Sequence, residues 1–236
     1  MRASSTMALL ANKDWDRHVA DAEEVARGGG FRALRDQILE RAEPSGRSTV
    51  VDVGSGTGLL TLAFAERCDR VWAVDISAGM AGYLRAKAAS AGLENVEPVV
   101  ASAVSLPLVD CSADLVVSNY CFHHLRNADK VRALEETQRV LRPGGTLVFG
   151  DMMFSPGLRD TRDREVIAAK VRALLRKGPA GVWRLLRNAV RLASARWEKP
   201  VRPEWWRAAL EEAGFVEVHV EAQAHEGGIA CARKPG

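Results

Sequence analysis

The sequence predicts an α/β protein built on a mainly parallel sheet, on three observations. Between Ser48 and Asp151, short β-branched runs alternate with longer helical patterns, which is how strands joined by crossover helices read. The first of these runs, Thr49–Val53, feeds directly into a glycine-rich turn. Two further runs near the C-terminus, 216–220 and 228–232, lie close enough together to pair as an antiparallel hairpin on the sheet edge.

Taken in order, 15–26 and 31–42 read as two helices separated by Gly28, Gly29 and Gly30. Thr49–Val53 is apolar enough to be a buried strand, with a helix over 58–67 behind it. A second strand, 71–75, leads into a helix over 78–91 that stops at Gly92, a residue suited to the left-handed turn that closes helices. Strands follow at 96–101 and 114–119, then a helix over 129–141, ended by Arg142-Pro143-Gly144-Gly145, and a fifth strand over 146–151. Beyond Ser155-Pro156-Gly157 come two amphipathic patterns that Gly178-Pro179 splits, because proline cannot continue a helix interior. Ile167, Val171, Leu174 and Leu175 share a face in the first; Val182, Leu185, Leu186, Ala189 and Val190 share one in the second. A helix over 204–213, closed by Gly214, precedes the hairpin.

The 236 residues are 47% hydrophobic and 27% charged, ordinary values for a folded chain large enough to bury a core. No apolar run approaches the roughly 20 residues that cross a bilayer, and no signal-peptide pattern opens the chain, so a cytoplasmic protein is expected. Cys68, Cys111, Cys121 and Cys231 show no CxxC spacing and read as reduced thiols, with no metal site expected. The net charge of +3 is unevenly spread: 158–202 holds thirteen Lys or Arg against four acids, a local +9 that leaves −6 for the rest.

The strongest chemical signal is Val50-Val51-Asp52-Val53-Gly54-Ser55-Gly56-Thr57-Gly58-Leu59. A strand running into glycines and then a helix lets a ligand approach bare backbone amides. The spacing is GxGxG; Leu59 stands where a dinucleotide fingerprint needs its last glycine, and the Lys-Ser/Thr ending of a P-loop is missing. Asp75 ends the second strand 23 residues after Asp52, where a carboxylate can accept hydrogen bonds from both hydroxyls of a ribose lying against the turn.

With these blocks, and with Asp114-Leu115-Val116-Val117-Ser118 leading to His123-His124-Leu125 and Leu141-Arg142-Pro143-Gly144-Gly145, the chain resembles the class I S-adenosylmethionine-dependent methyltransferases, in the group similar to ubiquinone/menaquinone-biosynthesis enzymes. The ordered set covers about 100 residues. The resemblance implies a Rossmann-like seven-stranded sheet of order 3-2-1-4-5-7-6, strand 7 antiparallel, with helices on both faces. It implies one domain: an N-terminal helical cover (1–45), a cofactor-binding sheet (46–154 and 203–236), and a basic helical insertion (155–202) over the acceptor. It further implies S-adenosyl-L-methionine as cofactor and S-adenosyl-L-homocysteine as product. Asp52, Ser55 and the glycines Gly54, Gly56 and Gly58 are then expected at the methionine portion, Asp75 at the ribose, and Ile76 and Met80 at the adenine unless they serve as ordinary core. Ser102-Ala103 takes the place where the family commonly has an acid beside a small residue at the adenine amino group, and Asn119 presents its backbone to the methionine amine.

Methyl transfer from a sulfonium is an in-line displacement in which alignment and removal of an acceptor proton do most of the work. His123, His124 and Asp151 are candidates for the base by position, Tyr120 for a hydrogen bond to substrate, while Cys121 reads as a small buried side chain. Trp15, His18 and Phe31 on one side, and Trp183 with Trp197, Trp205 and Trp206 on the other, are expected to enclose the acceptor. The insertion's arginines either solvate outer helix faces, meet a carboxylate or phosphate on the acceptor, or dock on an anionic lipid surface. Ser118-Asn119-Tyr120-Cys121 lacks the Pro-Pro-aromatic stretch usual in enzymes that methylate base amines, so a small-molecule acceptor is expected ahead of RNA or DNA, with the protein a monomer or homodimer.

Overall fold

A computed structural model describes residues 14–155, 161–176, 178–179, 182–183, 199–223 and 226–236. Its sheet has seven strands in the order β3-β2-β1-β4-β5-β7-β6. They are β1 (Thr49–Val53), β2 (Arg70–Asp75), β3 (Val96–Val100), β4 (Ala113–Asn119), β5 (Leu141–Met152), β6 (Val216–Ala222) and β7 (Gly227–Arg233). The pairs among β1 to β5 are parallel, and β7 runs antiparallel to both β5 and β6. The predicted order and the single reversed strand are thus observed. Strand order reverses between β1 and β4, which opens a crevice at the C-terminal ends of both strands where open α/β sheets bind ligands.

The helices are α1 (Val19–Ala26), α2 (Gly29–Ala42), α3 (Leu59–Ala65), α4 (Ala78–Ser90), α5 (Asn127–Val140), α6 (Thr161–Leu175) and α7 (Pro203–Glu212). Two clusters of buried side chains cover the sheet. One joins Leu34 and Ile38 of α2 and Leu60 and Phe64 of α3 to Val50, Val117 and Val148; the other joins Leu134 of α5 and Trp206 and Leu210 of α7 to Val51, Val116 and Phe149. The close approach of α2 is built in at Gly150, where a Cβ would run into the Leu34 side chain.

Several expectations shift. The N-terminal helix begins as a 3-10 turn over Trp15–His18, and Gly29 and Gly30 lie inside α2, because the extended Gly28 caps that helix. Strand pairing resumes at Leu141, directly after α5, so Pro143-Gly144-Gly145 belongs to the strand segment, held by backbone bonds from Gly144 N to Lys234 O and from Lys234 N to Gly145 O. Trp206 is fully buried against Phe122 and Phe149 and is core, not acceptor wall. In α6 Asp163 and Val166 are buried, with Arg202 on Asp163, and Ile167, Val171 and Leu174 of the expected apolar face are half-buried beside them, whereas Leu175 departs from that face at 51% exposed. Trp197 and the second amphipathic pattern beyond Val182 lie outside the described residues.

Candidate active site

The turn after β1 is shaped by what lies over it. Gly54 has φ +73°, and a Cβ there would overlap the Cys121 thiol, so only glycine allows β1 and β4 to end this close together. Gly54 and Ser55 donate their amides to Val74 O at 2.8 and 3.0 Å, which fixes the turn against the end of β2. Asp75 closes the ring: its Oδ2 accepts from Gly56 N at 2.8 Å and its Oδ1 from Ser77 N at 2.9 Å. Each oxygen keeps a lone pair for a ligand hydroxyl. Ser77 caps α4 by accepting from Met80 N at 3.0 Å, and Ile76 and the buried Met80 sit beside it.

Asp52 lies beneath the turn, 1% exposed, accepting a hydrogen bond from Thr61 Oγ1 at 2.6 Å. Burial pushes its carboxyl up to about 7, and the Asp75 charge adds to the rise. Burial also raises Asp75, with a contribution from Asp16. The Cys121 thiol is raised by burial and by Asp75, Asp151 and Asp52 together. The carboxylates of Asp75, Asp151 and Asp52 therefore all act on the Cys121 thiol. A bound cation would relieve their mutual repulsion, which suits a ligand carrying a sulfonium and an ammonium group.

Among the described residues three buried side-chain polar atoms find no hydrogen-bond partner: Trp206 Nε1 in the core, and Ser55 Oγ and Asn119 Oδ1 at the ends of β1 and β4. A buried polar atom left unpaired is costly, so the retention of the two at these strand ends points to a ligand that satisfies them. With Asp75 set for a diol, Asp52 beneath the turn and these two acceptors, the residues present fit S-adenosylmethionine. Ser102 is buried after β3 and its carbonyl accepts from Ser105 N at 3.0 Å, with Ala103 half-buried beside it.

At the other side of the crevice Tyr120 (φ +54°) follows β4, and a short 3-10 turn over Phe122–His124 carries both histidines. His123 is 3% exposed; its backbone N–H donates to Asp151 Oδ2 at 2.8 Å, and Nδ1 lies 2.6 Å from Asp151 Oδ1. Engaging Nδ1 with a carboxylate leaves Nε2 as the nitrogen that exchanges protons. His124 is exposed at the backbone turn but packs its ring 3.9 Å from that of His123 and 4.7 Å from that of Trp15. Phe31 stacks on Tyr120 at 4.3 Å, and His18 lies 6.4 Å from Trp15. The structure thus brings Trp15, His18, Tyr120, His123, His124 and Asp151 into one aromatic wall. Trp183 is elsewhere, 68% exposed.

Three residues escaped the sequence reading. Asp16 accepts from Ser77 Oγ at 2.5 Å and Gly79 N at 2.9 Å, so the N-terminal turn is fastened to the start of α4; those bonds hold its carboxyl below the usual range. Thr61 orients Asp52. Lys130, fully buried, donates from Nζ to Leu125 O and Lys199 O at 2.7 Å each, while Lys199 N donates to His123 O at 2.7 Å. Lys130 was findable, since it lies on the stripe with Ala133, Leu134 and Thr137, where a lysine needs a buried partner. Asp16 and Thr61 give no such local signal.

A family model described as a methyltransferase domain matches residues 50–145. An uncharacterised methyltransferase of Geobacillus kaustophilus is 30% identical over 70% of this chain and 71% of its own length. The ubiquinone/menaquinone biosynthesis C-methyltransferase of Brucella anthropi is 35% identical over 52% of this chain and 48% of its own. Among solved structures, a SAM-dependent methyltransferase from Aquifex aeolicus superimposes with a TM-score of 0.64 at 20% identity, covering 92% of this chain and 98% of that one. The chain spans about a third to seven tenths of the length of the curated relatives it matches.

Proposed function

The chain belongs to the class I S-adenosylmethionine-dependent methyltransferases, and we propose on that footing that it methylates a small molecule held against the aromatic wall of Trp15, Phe31, Tyr120 and His124. The observation that carries this reading is the His123–Asp151 pair, almost wholly buried at 2.6 Å directly beside that wall. Bound S-adenosylmethionine supplies an activated methyl group on a cationic sulfur. Asp75, Asp52, Ser55 and Asn119 would hold it against the Gly54–Gly58 turn. Asp151 fixes the His123 ring, and His123 Nε2 takes the acceptor proton as the displacement proceeds. Trp15 of the N-terminal turn and Phe31 of α2 pack over His124 and Tyr120, a cover that suits a compact acceptor better than a nucleic-acid strand. The missing Pro-Pro-aromatic stretch at 118–121 supports the same choice.

The test is transfer of label from methyl-tritiated S-adenosylmethionine in a cell extract depleted of endogenous cofactor. Label is expected in the small-molecule fraction, and to drop by about a hundredfold or more with His123→Ala. Label confined to RNA, DNA or protein overturns the small-molecule reading.

A further inference from the structure

The corner that follows α6 takes no part in the site above, and its surface chemistry is distinctive. Leu175, in the last turn of α6, is 51% exposed. A turn follows: Gly178 N donates to Leu175 O at 3.0 Å and Val182 N to Gly178 O at 3.1 Å. This places Val182, 43% exposed, and Trp183, 68% exposed, just beyond the same corner. Three of the eight large apolar side chains exposed among the described residues therefore fall within the nine positions 175–183. Arg164 and Arg172 are exposed on α6 and Arg176 just past its end; Arg164 donates to Thr161 Oγ1 at 3.1 Å and Arg172 to Ala168 O at 3.3 Å within the helix. Arg162 and Arg202 are differently employed, the first on Met153 O and Gln223 O, the second on Asp163. The sequence around the corner supplies the long-range field, +9 over 158–202 against −6 elsewhere.

We propose that this corner docks the protein on an anionic lipid surface, with Leu175, Val182 and Trp183 entering the interfacial layer and Arg164, Arg172 and Arg176 on the headgroup phosphates. The combination selects lipid over nucleic acid. A nucleic-acid backbone rewards the arginines alone and offers nothing to an exposed leucine and valine. The bilayer interface takes all three elements at once: indole at headgroup level, aliphatic carbon beneath it, guanidinium on phosphate. Docking is a property of this corner and stands apart from methyl transfer, so it is tested by binding alone.

The experiment is co-sedimentation of the full chain with vesicles of phosphatidylcholine, and with vesicles of phosphatidylcholine and phosphatidylglycerol in equal parts. Binding to the mixed vesicles is expected to be at least about tenfold stronger, and to weaken by a similar factor as salt rises from about 0.05 to 0.5 M. Leu175→Ser combined with Trp183→Ser is expected to lower vesicle affinity roughly tenfold at unchanged melting temperature, since both side chains are exposed, and Trp183→Tyr alone to keep most of it. Arg172→Glu with Arg176→Glu is expected to abolish the preference for phosphatidylglycerol. Equal binding to both vesicle types overturns the proposal, as does a Leu175→Ser, Trp183→Ser variant that sediments like the wild type. A duplex RNA that competes the protein off the mixed vesicles, with affinity indifferent to that double substitution, assigns the basic surface to nucleic acid instead.

Discussion

Asp52 keeps a buried carboxyl pushed up to about 7, against an ordinary value of 3.8. Between those values the folded chain binds more protons than the unfolded one, so this residue's contribution to stability falls as pH rises through that window, and the cost is fully present above about 7. A ligand ammonium reverses the preference by favouring the ionised form. Affinity for S-adenosylhomocysteine is therefore expected to weaken as pH falls from about 7.5 to 5.5, and Asp52→Asn to flatten the dependence; calorimetric titrations across that range check it. Lys130 runs the other way: burial brings it down to about 8 from 10.5. The unfolded chain binds more protons in that interval, so stability relative to Lys130→Met should rise from about pH 8 to 10, read by urea unfolding. For the His123–Asp151 pair, Asp151→Asn should change the ring tautomer, seen in the imidazole nitrogen shifts, with cofactor affinity retained; an unchanged tautomer contradicts the orienting role. Asp52, Asp75, His123 and Asp151 were legible because each stands at a strand end within a motif. Asp16 and Thr61 were not, because their partners are fixed by tertiary packing, 61 residues away in the case of Asp16 and Ser77.

At the scale of elements, the start of α4 is where the two sides of the cofactor crevice are joined. Ser77 caps that helix through its hydroxyl oxygen and donates its hydroxyl proton to Asp16, so one side chain both completes α4 and fastens the N-terminal turn. Ser77→Ala should cost about 1 kcal/mol through the lost cap and should also release Trp15 from His124, seen as a change in indole fluorescence when S-adenosylhomocysteine is added. Asp16→Asn separates the two effects, leaving the cap while weakening the fastening. Strands and helices around the sheet were readable from hydrophobic period, with boundaries displaced by a residue or two except at β5, which begins five residues earlier than expected. The 3-10 opening at Trp15 was hidden because nothing in its own sequence announces a bond to α4. The Asp163–Arg202 pair at the start of α6, 39 residues apart, was hidden because no local pattern encodes it.

Across the whole molecule, an acidic cofactor-binding body carries a basic segment after its fifth strand. The strand order followed from the family resemblance and the hairpin from spacing, whereas the wall depends on two contacts no local pattern encodes: α2 over Gly150, which carries Phe31 to Tyr120, and Asp16 on Ser77, which holds Trp15 by His124. The central claim is that the ring of Gly54, Gly56, Asp75 and Asn119 is a cofactor site. Isothermal titration with S-adenosylhomocysteine, on the wild type and on Asp75→Ala, tests it most directly. Micromolar binding is expected for the wild type, weakened about tenfold or more by Asp75→Ala at a melting temperature that shows the chain still folded. Wild-type protein that takes up no S-adenosylhomocysteine, or an Asp75→Ala variant that binds it equally well, would contradict the account.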